Sequence, residues 1–316
     1  ILSMACGTIL MSRYRTRFAP SPTGYLHLGH AFSALTGFDR AGAAGGAFLL
    51  RIEDTDRARV RPEYEAAIYE DLAWLGIEWE HPVLRQSEHL ADYDAALDQL
   101  IAINLCYPCR CTRNDILTAL SAPQEGVARL PPDANVYPGT CRARPMSGRG
   151  PADAIRLDMA RALGMLGDVT RLGFDETGPE RTGHHRLDPA RLVSEVGDIV
   201  LARRDIGAAA YHLAVVVDDA RQGITAVTRG MDLFDTTEVH VLLQTLLQRP
   251  TPTYHHHRLI RDESGKRLAK RDDAPYVSRR TDSWLKLKAQ QRQEFVIVGY
   301  TDRGGDAASR EIGSLL

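Results

Sequence analysis

Apolar runs of two kinds follow one another along the chain. Gly46-Ala-Phe-Leu-Leu-Arg-Ile52 is short and nearly continuous, and it predicts a buried strand. It ends in Glu53-Asp-Thr-Asp56, polar residues at a strand's carboxyl end, where open α/β sheets bind ligands. Pro62 then suits the first turn of a helix with Tyr64, Ile68, Leu72 and Leu75 on one face and Gly76 as its stop. Ser87 is positioned to cap the next helix, which carries Tyr93, Leu97, Leu100 and Ile101. Tyr211-His-Leu-Ala-Val-Val-Val-Asp-Asp219 predicts a second buried strand, again ending in acids. Ile224 to Thr228 alternates as a short strand closed by Arg229-Gly230, and a helix is expected from Thr237 to Gln248. The pattern is that of an α/β nucleotide-binding layout. No internal repeat, P-loop or Gly-x-Gly-x-x-Gly fingerprint interrupts it.

Composition narrows the picture little. The 316 residues suit one large domain or two, and 44% apolar content is ample for a core. A formal charge of −2 means that any nucleic acid must be held by local basic patches rather than by a global field. No apolar run is long enough to cross a bilayer, and the first ten residues lack the basic region of a signal peptide, so a cytoplasmic location is expected. Met11 is the expected start of the functional chain.

The most informative stretch is Arg17-Phe-Ala-Pro-Ser-Pro-Thr-Gly-Tyr-Leu-His-Leu-Gly-His30. An apolar strand end runs into two prolines and Gly24, which force a sharp strand-to-helix turn. His27 and His30 stand at that turn, and a helix-like pattern follows through Ala31, Leu35 and Phe38. The turn frees the first helical N–H groups and aims the helix dipole at whatever sits above. Imidazoles there suit a polyphosphate. The stretch resembles the "HIGH" motif of class I aminoacyl-tRNA synthetases, written His27-Leu28-Gly29-His30. Far downstream, Gly265-Lys-Arg-Leu-Ala-Lys-Arg271 resembles the basic "KMSKS" loop of the same class. Lys270 takes the place of the loop lysine, Arg267 that of the motif's first lysine, and Ala269 that of its serine.

Four of the five cysteines, Cys106, Cys109, Cys111 and Cys141, lie in or beside a segment (121–151) rich in Pro, Gly and Arg. Thiolates converge well on zinc in a loop-rich segment without its own core. Cys109, Cys111 and Cys141 are candidate ligands, with Cys106 a rival for the fourth place. The pattern Cys-x-Cys … Tyr137-x-x-x-Cys141 is, however, the one carried by the glutamyl-queuosine tRNA(Asp) synthetases and some glutamyl-tRNA synthetases, and this resemblance makes Tyr137 the fourth ligand.

From about Arg15 to Pro275 the chain resembles the glutamyl-queuosine tRNA(Asp) synthetases, truncated relatives of glutamyl-tRNA synthetase. Arg51-Ile-Glu-Asp-Thr-Asp56, Tyr211-His-Leu-Ala-Val-Val-Val-Asp-Asp219 and Arg229-Gly-Met-Asp-Leu233 carry it with the two motifs. The resemblance implies a class I Rossmann-type catalytic domain in two parts, 13–105 and 151–275, around a zinc-binding insertion at 106–150. It implies a glutamate site at Arg17, Phe18, Ala19, Pro20, Ser21, Glu53, Tyr211 and Arg229. Arg17 and Arg229 would each grip a carboxylate and Glu53 the ammonium, with Ser21 and Tyr211 completing the hydrogen bonds. It assigns His27, Gly29, His30 and Lys270 to ATP, with His27, His30 and Lys270 as the catalytic groups. Magnesium would enter with ATP.

The implied reaction is formation of glutamyl-adenylate and transfer of glutamate to queuosine of tRNA(Asp). The short remainder after Lys270 leaves no room for an anticodon-binding region, which favours the queuosine-modifying relative over a glutamyl-tRNA synthetase fragment. Arg142, Arg144 and Arg149 are either phosphate contacts or a solvated charge run. Residues 278–316, with Trp284-Leu-Lys-Leu-Lys288, resemble instead the end of an ATP-dependent DNA ligase core, in which Lys286 and Lys288 would face a nucleotide. No Lys-x-Asp-Gly motif accompanies them, so the tail is expected to be foreign to the rest. An inactive chimera that still binds ATP or glutamate is the alternative this tail raises.

Overall fold

The computed structural model describes residues 14–116, 136–203 and 209–260. β1 (Arg15–Phe18), β2 (Ala47–Ile52) and β3 (Glu80–Arg85) lie side by side in parallel. Parallel neighbours need crossovers, and α1 (Leu28–Ala43) and α2 (Pro62–Trp74) supply them. Every residue of β2 is buried, which accounts for an apolar run broken only by Arg51. Pro62 opens α2 as its sequence suggests, and Gly76 just past its end takes φ +73°, a conformation that strains any residue with a Cβ.

β6 (Gly173–Glu176), β7 (Gly183–Arg186), β9 (Ala226–Gly230) and β10 (Thr253–His257) form a second sheet in the order β7-β6-β10-β9. β10 runs parallel to both of its neighbours. The two sheets meet edge to edge: the Thr225 N–H donates to the Arg15 carbonyl at 3.0 Å, and the Arg15 N–H to Thr225 Oγ1 at 2.9 Å. Strand order turns at this seam: Arg15 lies against Thr225 and Thr16 against Thr228, so β1 and β9 run the same way. Such switch points are where open α/β sheets leave a crevice at their carboxyl ends. A third, antiparallel sheet of β4 (Cys106–Cys109), β5 (Ala154–Leu157) and β8 (Val200–Ala202) carries the cysteine segment.

The sequence reading fails at two places in the described residues. Tyr211–Arg221 is a helix, not a strand. Leu213 to Asp219 are all buried, so the segment has no polar face to reveal a helical period, while three consecutive valines mimic a strand. Burial decides the outcome over local propensity. Ser87 is not a helix cap. It sits in the 3-10 turn Gln86–Glu88, where its N–H and hydroxyl both donate to Asp54, at 2.8 and 2.6 Å. The helix that follows, α3 (Leu90–Ala102), starts from His89 without a side-chain cap.

Among the described residues, the remaining helices of eight residues or more are α4 (Met159–Leu166), α5 (Tyr211–Arg221) and α6 (Thr237–Leu246). Phe18, Leu50, Ile52, Ile68 and Leu72 make a core for the first sheet. A larger core, including Leu100, Ile155, Leu192, Leu213 and Leu242, ties the other two sheets to α3, α4, α5 and α6. Lys270 with its basic loop and the tail 278–316 lie outside the described residues, as does most of the insertion up to residue 135.

Candidate functional site

The turn between β1 and α1 presents the two motif histidines as a reciprocal cap. His27 is the N-cap residue, and its Nδ1 accepts the Gly29 N–H at 3.1 Å. The His27 N–H in turn donates to His30 Nδ1 at 3.2 Å. Imidazoles here play the parts that a Ser/Thr and a Glu usually play in such a box. The rings stack with centroids 3.8 Å apart. Because each Nδ1 is an acceptor, each neutral ring bears its proton on Nε2, a donor form suited to a phosphate oxygen. Gly29 is what allows the stack: a Cβ there would stand 3.0 Å from His27 Cε1.

Beside this turn lies a floor of buried charge. Arg51 on β2 is fully buried, and burial works against its charge. Asp219, Asp218 and Glu53 overcome that and raise its pKa. Its Nη1 lies 2.6 Å from Asp219 Oδ1 and its Nη2 3.3 Å from Glu53 Oε1. Asp219 also takes both Nε and Nη2 of Arg17, at 2.8 and 3.1 Å. Burial would raise the Asp219 pKa, but the two guanidiniums hold it below the usual carboxylate value. Glu53 goes the other way: burial lifts it in spite of Arg51 and Arg17.

Ser21 donates its hydroxyl to the Glu53 carbonyl at 2.6 Å, and the Glu53 N–H donates to the Pro20 carbonyl at 3.0 Å. The Phe18-Ala19-Pro20-Ser21 turn is thereby stitched to the end of β2. The sequence reading gave Arg17 a substrate carboxylate to grip with its fork. The structure corrects this: the fork closes on Asp219, leaving Nη1 with a long 3.5 Å contact to the Thr228 carbonyl.

Arg229 at the end of β9 is held differently. Its Nε donates to His256 Nε2 at 3.0 Å, Nη1 pairs with His240 Nδ1 at 3.0 Å, and Nη2 donates to Thr237 Oγ1 at 2.7 Å. No carboxylate is among these partners. Tyr211, in the first turn of α5, is 39% exposed, but its hydroxyl end lies among Arg229, Glu53, Arg17 and Asp219, and burial raises its pKa. Arg17, Glu53, Tyr211 and Arg229 therefore share one electrostatic neighbourhood at the switch point between the sheets.

The thiols of Cys109, Cys111 and Cys141 all lie within 4.8 Å of one another. The Tyr137 hydroxyl stands 3.4 Å from Cys109 Sγ and 3.5 Å from Cys111 Sγ, and it accepts the Cys141 N–H at 2.8 Å. Three sulfurs and one phenol oxygen form one cluster, with Cys111 Sγ and Cys141 Sγ 3.5 Å apart. Spacings near 3.5 Å match the edges of a tetrahedron around an ion with metal–sulfur bonds of about 2.3 Å. Burial would raise the Cys141 pKa, but hydrogen bonds from Tyr137, the Arg110 backbone and the neighbouring thiols bring it down to about 7. Cys106 takes no part. It belongs to the main core, and burial pushes its thiol up to about 12.

A cleft of about 480 Å³ opens between this cluster and α5, lined among others by Tyr137, Arg156, Asp198, Arg203, Tyr211 and His212. The basic run beside the cluster is neither a set of free phosphate contacts nor simply solvated. Arg142 pairs with buried Asp198 at 2.8 Å and Arg144 with Asp153 at 2.9 Å, so both brace the insertion. Arg149 alone of the three is without such a brace among the bonds described.

The catalytic-domain model of the class I tRNA synthetases of the E and Q type matches residues 13–142 and 188–314. The chain belongs to that family. Its match runs through most of the tail that resembles a ligase. The glutamyl-Q tRNA(Asp) synthetase of Rhodobacter capsulatus is 57% identical over 267 residues, covering 84% of this chain and 93% of that one. The enzyme of the same name from Burkholderia cenocepacia is 43% identical over 266 residues, covering 84% and 83%. Among solved structures, a glutamate tRNA ligase from Elizabethkingia meningosepticum in complex with its amino acid superposes with a TM-score of 0.64 at 29% identity. That match covers 82% of this chain and 52% of the ligase. The glutamate-tRNA synthetase of Elizabethkingia anophelis gives 0.65 at 28% identity. The chain thus spans about half the length of these solved synthetases.

In this member of the synthetase family, several buried groups escape sequence reading. Asp219 was visible as an acid but not as the partner of Arg17 and Arg51. His240 and His256 gave no signal, because a lone histidine in an apolar helix or strand has no period of its own. The one clue was the spacing of Thr237 and His240, three apart on α6, which puts both on the face toward Arg229.

Proposed function

We propose that this chain activates L-glutamate with ATP and transfers it to the queuosine base of tRNA(Asp). The observation that carries the reading is the grouping of Arg229, Glu53 and Tyr211 beside the His27–His30 cap. It supplies a cation for the side-chain carboxylate and an anion for the ammonium next to a phosphate-binding turn. The high identity with the Rhodobacter capsulatus glutamyl-Q tRNA(Asp) synthetase supports the choice of acceptor.

The first step joins a carboxylate oxygen of glutamate to the α-phosphorus of ATP and breaks the bond to the β-phosphate. Glutamyl-adenylate and pyrophosphate result. The protein's part is to align the reactants and stabilise spreading negative charge. His27 and His30 donate to phosphate oxygens through Nε2, with the α1 dipole behind them, and Lys270 follows the leaving pyrophosphate. Arg17, held by Asp219, offers its one remaining nitrogen to the α-carboxylate. Glu53, raised by burial, regains its full charge when an ammonium arrives. Magnesium accompanies the nucleotide. The second step moves the glutamyl group from AMP to the acceptor base, for which the cleft lined by Tyr137, Tyr211 and His212 offers open space. Zinc, held by Cys109, Cys111, Cys141 and Tyr137, would fix the cleft wall rather than touch the reacting atoms.

Glutamate-dependent ATP–pyrophosphate exchange without tRNA tests the first step. Labelled glutamate with queuosine-containing tRNA(Asp), followed by nuclease digestion, tests the second. Label on the modified anticodon nucleotide supports the reading. Label on the 3′-terminal adenosine would assign a conventional glutamyl-tRNA synthetase activity instead.

A further inference from the structure

Arg17 and Arg51 are neutralised by acids of the chain itself: Asp219, Asp218 and Glu53 surround them. Arg229 is fastened by three neutral partners, so its bonds to protein leave its charge undiminished. The partners are ordered. His256 Nε2 accepts from Arg229, so its Nδ1 carries the proton and is held by Glu176 Oε2 on β6. Glu176 is fixed in turn: it also accepts the N–H groups of Gly178 at 2.5 Å and of His256 at 2.9 Å. His240 Nδ1 faces Arg229, so its Nε2 carries the proton and meets His212 Nδ1 at 3.1 Å. The run Glu176–His256–Arg229–His240–His212 thus has one consistent assignment of protons, with every ring neutral.

We propose that His240 and His256 are positioning residues that lock Arg229 as an uncompensated cation, and that this makes the site select a carboxylate over a carboxamide side chain. The inference rests on the reading of Arg229 as the anchor for the glutamate side chain. A protonated ring cannot accept from a guanidinium, so protonation of either histidine would put two N–H groups face to face and release the arginine. The groups facing the pair make neutrality the favoured state. Arg229 on β9, Arg17 on β1, His212 on α5 and His257 on β10 oppose a charged ring, Tyr211 and Tyr254 face the pair as uncharged hydroxyls, and Asp219 lies behind Arg17. Glu176 favours the charged ring of His256. Burial is the largest cause holding both rings below the ordinary imidazole value.

The three bonds use three of the five guanidinium N–H groups. The two left, one on each terminal nitrogen, are matched in number by the two oxygens of a carboxylate. A carboxamide would put its NH2 group against a donor, and the unneutralised charge would find no anion.

The test is glutamate and glutamine dependence of ATP–pyrophosphate exchange across pH 5 to 8, with calorimetric binding of glutamate to the intact chain as a readout independent of turnover. H240L and H256L remove the acceptors. Each is expected to raise KM and Kd for glutamate at least ~10-fold, to leave KM for ATP nearly unmoved, and to narrow the preference for glutamate over glutamine. H240N keeps an oxygen near the Nδ1 position and H256Q one near the Nε2 position, and neither takes a proton. Each is expected to recover a large part of the loss. The unaltered protein is expected to show a rise of glutamate KM toward acid pH, and each of these variants should flatten it. Leucine variants that keep glutamate KM and selectivity, while R229K loses both, would overturn the clamp and leave the anchor standing. R229K with unchanged glutamate binding would overturn the anchor, and the clamp with it.

Discussion

Arg17 and Asp219, 202 residues apart in sequence, form a two-point ion pair at 2.8 and 3.1 Å beneath the switch point, and Arg51 adds a third contact to the same carboxylate at 2.6 Å. Two cations on one buried acid are stable only while the acid remains. Asp219→Ala is expected to cost ~3–5 kcal/mol, the usual penalty for leaving buried charge unpaired. Urea unfolding of the variant measures this, and a loss below ~1 kcal/mol would mean that Asp218 and Glu53 suffice.

Gly29→Ala separates stability from chemistry. Alanine is the better helix former by up to ~1 kcal/mol, so the melting temperature should hold or rise slightly. The new Cβ would meet His27 Cε1 at 3.0 Å and push the stacked pair apart. The exchange rate is expected to fall ~10-fold or more by loss of phosphate alignment. Unchanged exchange kinetics would show that the stack has no role in turnover.

The cysteine cluster predicts one bound metal ion per chain. Plasma mass spectrometry of purified protein should find it, with zinc expected from the three sulfurs. C109S, C111S and C141S should lose it, and C106S should retain it because that thiol lies in the main core. Tyr137→Phe should bind more weakly and release the ion faster to a chelator. Loss in C106S equal to that in C111S would put the fourth ligand elsewhere.

Stability should fall on mild acidification. His212, His240, His255, His256 and His257 are all held below the ordinary value, burial being the largest cause in each, and His212 and His255 lie at about 4. The unfolded chain takes up protons near pH 6.5 while the folded chain resists. Between about 6.5 and 4 the unfolded state therefore holds more protons, and stability drops as pH drops. The limiting slope is ~1.4 kcal/mol per pH unit for each histidine. Asp71, Glu53 and Asp218, raised by burial, act in the opposite sense but are fewer. Urea midpoints at pH 7.5, 6.0 and 5.0 check this, and a flat series would contradict it.

The parts of this molecule that could be read in the sequence are those where a local rule has one outcome. Pro62 and Gly76 bracket α2, the apolar run at β2 is a strand, and the two prolines before His27 force the turn. Arg229 and Glu53 could be picked out only through the resemblance to the synthetase family, because a charge beside a strand end is by itself as often a plain surface residue. What stayed hidden depends on contacts across the seam. α5 is buried on every side, so it lost the polar face by which a helix is recognised. Ser87 has every mark of a cap, but Asp54, 33 residues earlier, takes its donors. Spacing alone left Tyr137 and Cys106 as rivals for the thiols; the family resemblance chose Tyr137, and its hydroxyl is the one that reaches them.

The seam between β1 and β9 also dictates how the chain is made. Synthesis proceeds at roughly 5–20 residues per second, so about 10–40 seconds separate the emergence of Arg17 from that of Asp219. Throughout that interval Arg17 lacks its counter-ion and Arg51 has only Glu53, on a sheet whose inner edge lacks its neighbour. The first half can gather its own apolar core, but the crevice exists only after the second half arrives. A chain cut short before α5 has a sticky sheet edge and only half of the site, a natural client for a chaperone or a protease.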